Sequence, residues 1–179
     1  MNFDTTIDEP NMDNYKTTIE RVAVRAVIRK NNHILLVQSN RGDLKFPGGG
    51  VEKNENHEDC LLREVREETG YIHCVVKDKV GTIIERKKDV FEENALFQMI
   101  SHYYLCDLVT QDKEEQQLDE YEAILDFTPK WVTLEEAITQ NESLIDKFEQ
   151  NSWLKRETYV LKQLRINKLE CTGYVQPLQ

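Results

Sequence analysis

Three glutamates stand close together in one short stretch of the chain, at Glu64, Glu67 and Glu68. Residues three and four apart lie on one face of a helix, so a helix here would make the three carboxylates converge. Clustered carboxylate oxygens with net negative charge are the ligands that Mg²⁺ or Mn²⁺ prefers. The alternative is a solvated acidic helix face, which is the more common origin of such a charge run.

The spacing of the flanking residues favours the metal site. Gly49 is followed after five residues by Glu55, and after seven more by Arg63-Glu64-Val65-Arg66-Glu67-Glu68, with Gly70 and Tyr71 beyond. This pattern resembles the Nudix box without a mismatch, and the resemblance is strongest over residues 47–71. At average residue usage, a chance match is expected on the order of 10⁻⁷ times in a chain of this size.

The resemblance implies cleavage of a nucleoside diphosphate linked to another group, with Mg²⁺ or Mn²⁺ as cofactor. It implies four metal ligands, the side chains of Glu64, Glu67 and Glu68 and the backbone carbonyl of Gly48. Arg63 and Glu55 would orient these carboxylates, Gly49 and Gly70 would be structural, and the catalytic residues would be Arg63, Glu64 and Glu67. The general base is left open between Glu64 and a glutamate of a later loop, Glu114, Glu115 or Glu120.

The substrate lies outside what the box predicts. ADP-ribose, a nucleotide sugar and a nucleoside triphosphate are comparable candidates, because the downstream proline and tyrosine typical of two subfamilies are missing here. Arg41, Lys45 and Arg86 flank the expected cleft and are candidate phosphate ligands. The alternative function is a non-catalytic sensor of a nucleotide metabolite, although such proteins tend to lose box residues that this chain retains.

Composition limits the classes of partner. The chain has 179 residues and a formal net charge of −10, which disfavours bulk binding of nucleic acid or an anionic membrane. A bound divalent cation would still allow a small phosphate-bearing substrate. The start of the chain lacks the features of a signal peptide and no stretch reaches membrane-spanning length, so the cytoplasm is the expected location. A homodimer is an open alternative to the monomer.

Local patterns predict a mixed α and β protein of the α+β type, a Nudix-like α-β-α sandwich around a mixed sheet. A hairpin is predicted over residues 20–38 and a helix over His57–Thr69, with Asn56 as its N-cap and Gly70 as its C-cap. Strands are predicted over 71–80, 81–86, 96–109, 121–127 and 130–132, and helices over 134–139 and 143–167. Residues 17–170 are expected to form a single domain, with 1–16 a flexible or lightly docked arm and 171–179 a tail.

Overall fold

A computed structural model describes residues 3–9, 15–147 and 152–172. The strands are β1 (Phe3–Asp8), β2 (Thr17–Lys30), β3 (His33–Gln38), β4 (Leu44–Lys45), β5 (Cys74–Lys88), β6 (Ala95–Leu108) and β7 (Thr128–Thr133). The helices are α1 (His57–Thr69), α2 (Glu120–Ile124), α3 (Leu134–Ile145) and α4 (Ser152–Thr172).

The described strands form one mixed sheet in the order β1-β5-β6-β2-β3-β4, and β7 pairs with β3. The β1–β5 and β2–β6 pairs are parallel, whereas β5–β6, β2–β3, β3–β4 and β3–β7 are antiparallel. The predicted hairpin over residues 20–38 is present, because β2 and β3 pair across the turn at residues 31–32.

Apolar side chains on the two faces of the sheet bury against different helices. Val24, Ala26 and Ile28 of β2 pack with Leu61 and Val65 of α1. On the opposite face, side chains of the sheet pack with Leu134 and Ala137 of α3 and with Val160, Leu161 and Leu164 of α4. Helices therefore cover both faces of a mixed sheet, and the predicted α-β-α sandwich is confirmed.

Three local predictions need correction. The arm predicted over residues 1–16 contains strand β1, which pairs with β5 and buries Phe3, and whose residues Phe3, Thr5 and Ile7 are less exposed than those between them. The strand predicted over residues 121–127 begins instead as helix α2, because Asp119 and Glu122 form a capping box. The helix predicted from residue 143 is two helices, since α3 continues to Ile145 and α4 begins at Ser152.

Parts of three predictions lie outside the described residues. These parts are residues 1–2 and 10–14 of the predicted arm, residues 148–151 of the helix predicted over 143–167, and residues 173–179 of the predicted tail. Within the described part of the chain, no helix is both long and apolar enough to cross a membrane.

Candidate functional site

Helix α1 carries the acidic cluster and is fixed at both ends. The side chain of Asn56 accepts a hydrogen bond of 2.9 Å from the backbone N–H of Asp59. Gly70 adopts the left-handed conformation, with φ of 78°, and its N–H donates to the carbonyl of Arg66 over 2.8 Å. Because Leu61 and Val65 are held in the core, the same helix also buries Glu64 and Glu68, one turn apart.

The turn between β4 and α1 approaches these two glutamates closely. The Gly48 N–H donates to Oε2 of Glu68 over 2.8 Å. Gly48 has a φ of 137°, and a Cβ there would overlap the carbonyl oxygen of Val24. A Cβ on Gly49 would overlap Oε1 of Glu64. The two glycines are therefore needed for the backbone to reach the carboxylates.

Gly49→Ala should lower the free energy of unfolding by about 1–3 kcal/mol, because overpacking of a buried contact costs that much. The new methyl group would displace the buried Glu64 carboxylate, which Arg63 holds in place. Urea denaturation of both proteins at neutral pH measures the difference. Gly50→Ala is the matched control, since the three atoms nearest to its Cβ belong to the exposed side chain of Arg21, which can move away. Equal losses in both variants would contradict this account.

Arg63 organises the carboxylates around it. Its Nε and Nη2 donate to the two oxygens of Glu55 over 2.8 and 3.0 Å, a bidentate pair. Its Nη1 donates to Glu64 over 2.7 Å and to Glu67 over 3.1 Å. The hydrogen bonds from Arg63 lower the pKa of Glu55 to about 2. Arg63 and Glu55 are thus placed where the resemblance implied an orienting role.

Three carboxylates converge, and they are not quite the predicted set. In the described part of the chain, oxygens of Glu64, Glu68 and Glu122 lie within 4.8 Å of one another. Glu67 is outside this group, is one third exposed at its side chain and is paired with Arg63. The Gly48 carbonyl, predicted as a further ligand, accepts a hydrogen bond from Nη1 of Arg25. An all-oxygen donor set of this kind suits a hard divalent cation such as Mg²⁺ or Mn²⁺.

The pKa values of the clustered carboxyl groups also favour a bound cation. Burial, and then the charge of Glu68, raises the pKa of Glu64. Burial and the charge of Glu68 also raise the pKa of Glu122 to about 7. Carboxylates that are desolvated and mutually repelling favour the protonated form unless a positive charge compensates them. A bound cation would supply that charge.

Glu122 is a candidate metal ligand that the sequence did not predict. It lies in α2, two residues beyond Glu120, which was one of the later-loop candidates and is exposed. Of the other two candidates, Glu115 is exposed and Glu114 forms an ion pair with Arg66. The Asp119–Glu122 capping box was a readable signal for a helix start, but nothing local indicated that this helix brings Glu122 close to Glu64 and Glu68 of α1.

A cleft of about 490 Å³ adjoins the cluster. Lys45 connects the two, since it lines the cleft and its Nζ lies 2.6 Å from Oε1 of Glu68. Of the other predicted phosphate ligands, Arg86 lines the cleft, whereas Arg41 is exposed and is not part of its wall. Among the described residues, three acidic and seven basic side chains line it, the basic ones being Arg21, Arg25, Lys45, Arg86, Lys87, Lys155 and Arg156. Aromatic rings of Phe97, Tyr121, Phe127 and Trp153 complete the wall.

An excess of positive charge in this cleft stands out in a protein of net charge −10. Part of it is balanced internally, because the buried Arg156 pairs with Glu85 and with Glu157. Arg21, in contrast, has no ion pair among the described contacts and is exposed at the wall of the cleft. The cleft therefore suits an anionic ligand with an apolar or aromatic portion.

The sequence of the chain is similar to proteins of one family. The sequence model of the NUDIX domain matches residues 19–154. An uncharacterized Nudix hydrolase of Schizosaccharomyces pombe is 29% identical over 134 residues, covering 69% of this chain and 62% of that protein. The ADP-ribose pyrophosphatase of Methanocaldococcus jannaschii is 44% identical over 72 residues, covering 38% of this chain and 42% of the relative. The chain thus spans less than two thirds of the length of either relative.

Solved structures agree in fold. A NUDIX hydrolase from Nitrosomonas europaea superposes with a TM-score of 0.53 at 23% identity, covering 69% of this chain and 79% of the other. A likeness at this level of identity concerns the fold alone. The match to the NUDIX domain, in contrast, takes in strands β2 to β7 and helices α1 to α3, and it includes the three carboxylates and the turn that reaches them. On these grounds, the chain belongs to the Nudix hydrolase family.

Proposed function

We propose that this protein hydrolyses the pyrophosphate bond of a nucleoside diphosphate that is linked to a further group, with Mg²⁺ or Mn²⁺ as cofactor. The observation that carries the proposal is the convergence of Glu64, Glu68 and Glu122 at the edge of a cationic cleft. Carboxylates bind the ion, and the basic wall binds the phosphates. A cleft of this volume is within the usual range for a small-molecule site, about 300–1,000 Å³.

Each polar residue of the site has a distinct part in this reaction. Glu64, Glu68 and Glu122 hold the metal, and Arg63 keeps the Glu64 carboxylate in place through its 2.7 Å hydrogen bond. When bound, the ion lowers the pKa of a water molecule and neutralises charge on the leaving phosphate. The general base is Glu64 or Glu122, because the predicted alternatives Glu114, Glu115 and Glu120 are outside the cluster.

The cleft sets the class of substrate. Its cations are suited to the diphosphate, and rings such as Phe97 and Trp153 are suited to stacking on a base. ADP-ribose is one candidate, supported by the similarity to the archaeal ADP-ribose pyrophosphatase. Nucleotide sugars and nucleoside triphosphates are the others, since the positive wall suits any of these phosphates.

A substrate panel tests the proposal. Purified protein would be assayed with Mg²⁺ and with Mn²⁺ at mildly alkaline pH against ADP-ribose, nucleotide sugars, dinucleotides, and standard and oxidised nucleoside triphosphates. We expect metal-dependent release of a nucleoside monophosphate from at least one class, and chelation with EDTA should abolish it. If a panel member bound tightly and none was cleaved, the proposed hydrolase function would be wrong and a nucleotide-sensor function would take its place.

A further inference from the structure

Both oxygens of the Glu68 carboxylate already have partners. Oε2 accepts from the backbone N–H of Gly48 over 2.8 Å, and Oε1 lies 2.6 Å from the Lys45 ammonium. The Glu68 side chain is fully buried and that of Lys45 is 15% exposed, so the ion pair is largely shielded from water. A charged hydrogen bond of this length in a poorly solvated place is a strong one.

The Lys45 ammonium also acts on a second carboxylate of the cluster, Glu122. Its positive charge opposes the rise in the pKa of Glu122, a rise that burial and the charge of Glu68 cause. The same nitrogen lies 4.1 Å from the centre of the Phe127 ring, at the wall of the cleft. Lys45 therefore places a single positive charge between the acidic cluster and the cleft.

We propose that Lys45 is the resident counter-ion of the Glu64–Glu68–Glu122 cluster, and that a divalent metal must displace its ammonium from Glu68 in order to bind. The inference rests on the metal site of the proposed function and adds a residue that the Nudix box does not contain. A metal ion on Oε1 of Glu68 would stand within about 5 Å of the ammonium, given metal–oxygen distances of about 2.1 Å. Two cations at that distance in a buried site repel strongly.

Displacement would leave the ammonium available to the substrate. Lysine has a flexible four-carbon stem, so its charge can move while the backbone of β4 stays in place. The Phe127 ring and the open cleft lie next to it and can receive the displaced charge. Metal binding would then place Lys45 on the side of the site from which a diphosphate enters.

A purely structural ion pair would behave differently. If Lys45 served only to hold Glu68 in position, its removal would loosen a metal ligand and weaken metal affinity. If Lys45 occupies the place of the metal, its removal strengthens metal affinity. The two roles therefore predict opposite signs for one measured quantity.

The experiment measures Mn²⁺ affinity of the full chain without nucleotide, by calorimetry or by the electron paramagnetic resonance signal of free Mn²⁺. We expect Lys45→Met to lower the Kd by about tenfold or more, the scale of a hydrogen bond to a charged group. The rise in Tm on adding Mn²⁺ should be larger in the variant, because stabilisation grows with [Mn²⁺]/Kd. Lys45→Gln retains a hydrogen-bond donor to Glu68 without the charge, and it should give the same sign if Lys45→Met folds poorly.

Arg21→Met is the matched control. It removes one cleft cation that is exposed and has no ion pair with the three carboxylates among the described contacts. Its Kd for Mn²⁺ should stay within about twofold of the wild type, because exposed charges are screened. Equal tightening by Arg21→Met and Lys45→Met would overturn the inference in favour of a long-range charge effect.

Two further outcomes separate this inference from the proposed function. If wild-type protein binds Mn²⁺ and the Lys45 variants bind it equally or more weakly, the inference is wrong and the metal site stands. If neither the wild type nor the variants bind Mn²⁺, the metal site itself is wrong, and the inference is overturned with it.

Discussion

Glu68→Gln should lower kcat/KM for metal-dependent hydrolysis by about 10³-fold. A metal ion contributes several kcal/mol to catalysis of this type, and each 1.4 kcal/mol is about a factor of ten. Glutamine keeps an oxygen that can accept the hydrogen bond from the Gly48 N–H, so the turn and the fold are expected to persist. The lost charge is the main change. Steady-state kinetics with the preferred panel substrate, with Tm as a check of folding, measures the effect.

Glu67→Gln is the comparison that makes this result informative. From the box alone, Glu67 is as good a candidate ligand as Glu68, and its replacement would be expected to remove most of the activity. In the structure, Glu67 is bonded to Arg63 and lies outside the converging group. We therefore expect Glu67→Gln to lower kcat/KM by about tenfold, as for residues that position a metal ligand without binding the metal. Equal losses of activity and of Mn²⁺ affinity in both variants would show that Glu67 is a direct ligand.

The features predicted correctly from sequence are those encoded within a few residues. The bounds of α1 follow from the cap at Asn56, the apolar Leu61 and Val65, and the left-handed Gly70. The β2–β3 hairpin follows from β-branched residues on either side of a turn at Asn31, whose φ is 55°. Such signals depend on short-range sterics and hydrogen bonding, which is why they can be read without the fold.

The residues that were missed act across the sheet or between distant elements. Arg25 lies within a buried strand, and only the tertiary structure brings its guanidinium to the Gly48 carbonyl, 23 residues away. Glu122 joins Glu64 and Glu68 only in the folded chain, since α2 and α1 are more than fifty residues apart in sequence. Lys45 was predicted only as a phosphate ligand, since its pairing with Glu68 depends on the path of the intervening glycine turn. Long-range packing of this kind leaves no periodic trace in the sequence.

Glu122→Gln should lower kcat/KM by about 10²-fold, whereas Glu120→Gln should leave it within about twofold of the wild type. Glu122 is a member of the acidic cluster, and Glu120 is an exposed residue of the same short helix. Glutamine at position 122 can still complete the capping box with Asp119, so α2 should form in both variants. The contrast between the two substitutions therefore reports on the cluster and not on the helix.

The free energy of unfolding of Glu122→Gln should depend on pH in a way that a purely structural role of Glu122 would not produce. Burial and the charge of Glu68 raise the pKa of Glu122 to about 7, above its unfolded value, so the metal-free fold loses stability as the pH rises from the unfolded value towards 7, and the loss is complete above 7. At pH 8 in EDTA, Glu122→Gln should therefore raise the free energy of unfolding while it lowers activity. The gain should shrink as the pH falls towards 5, where Glu122 is protonated in the fold. If Glu122→Gln lowered both the activity and the free energy of unfolding, Glu122 would instead be a structural residue of α2. The metal ligands would then be Glu64 and Glu68.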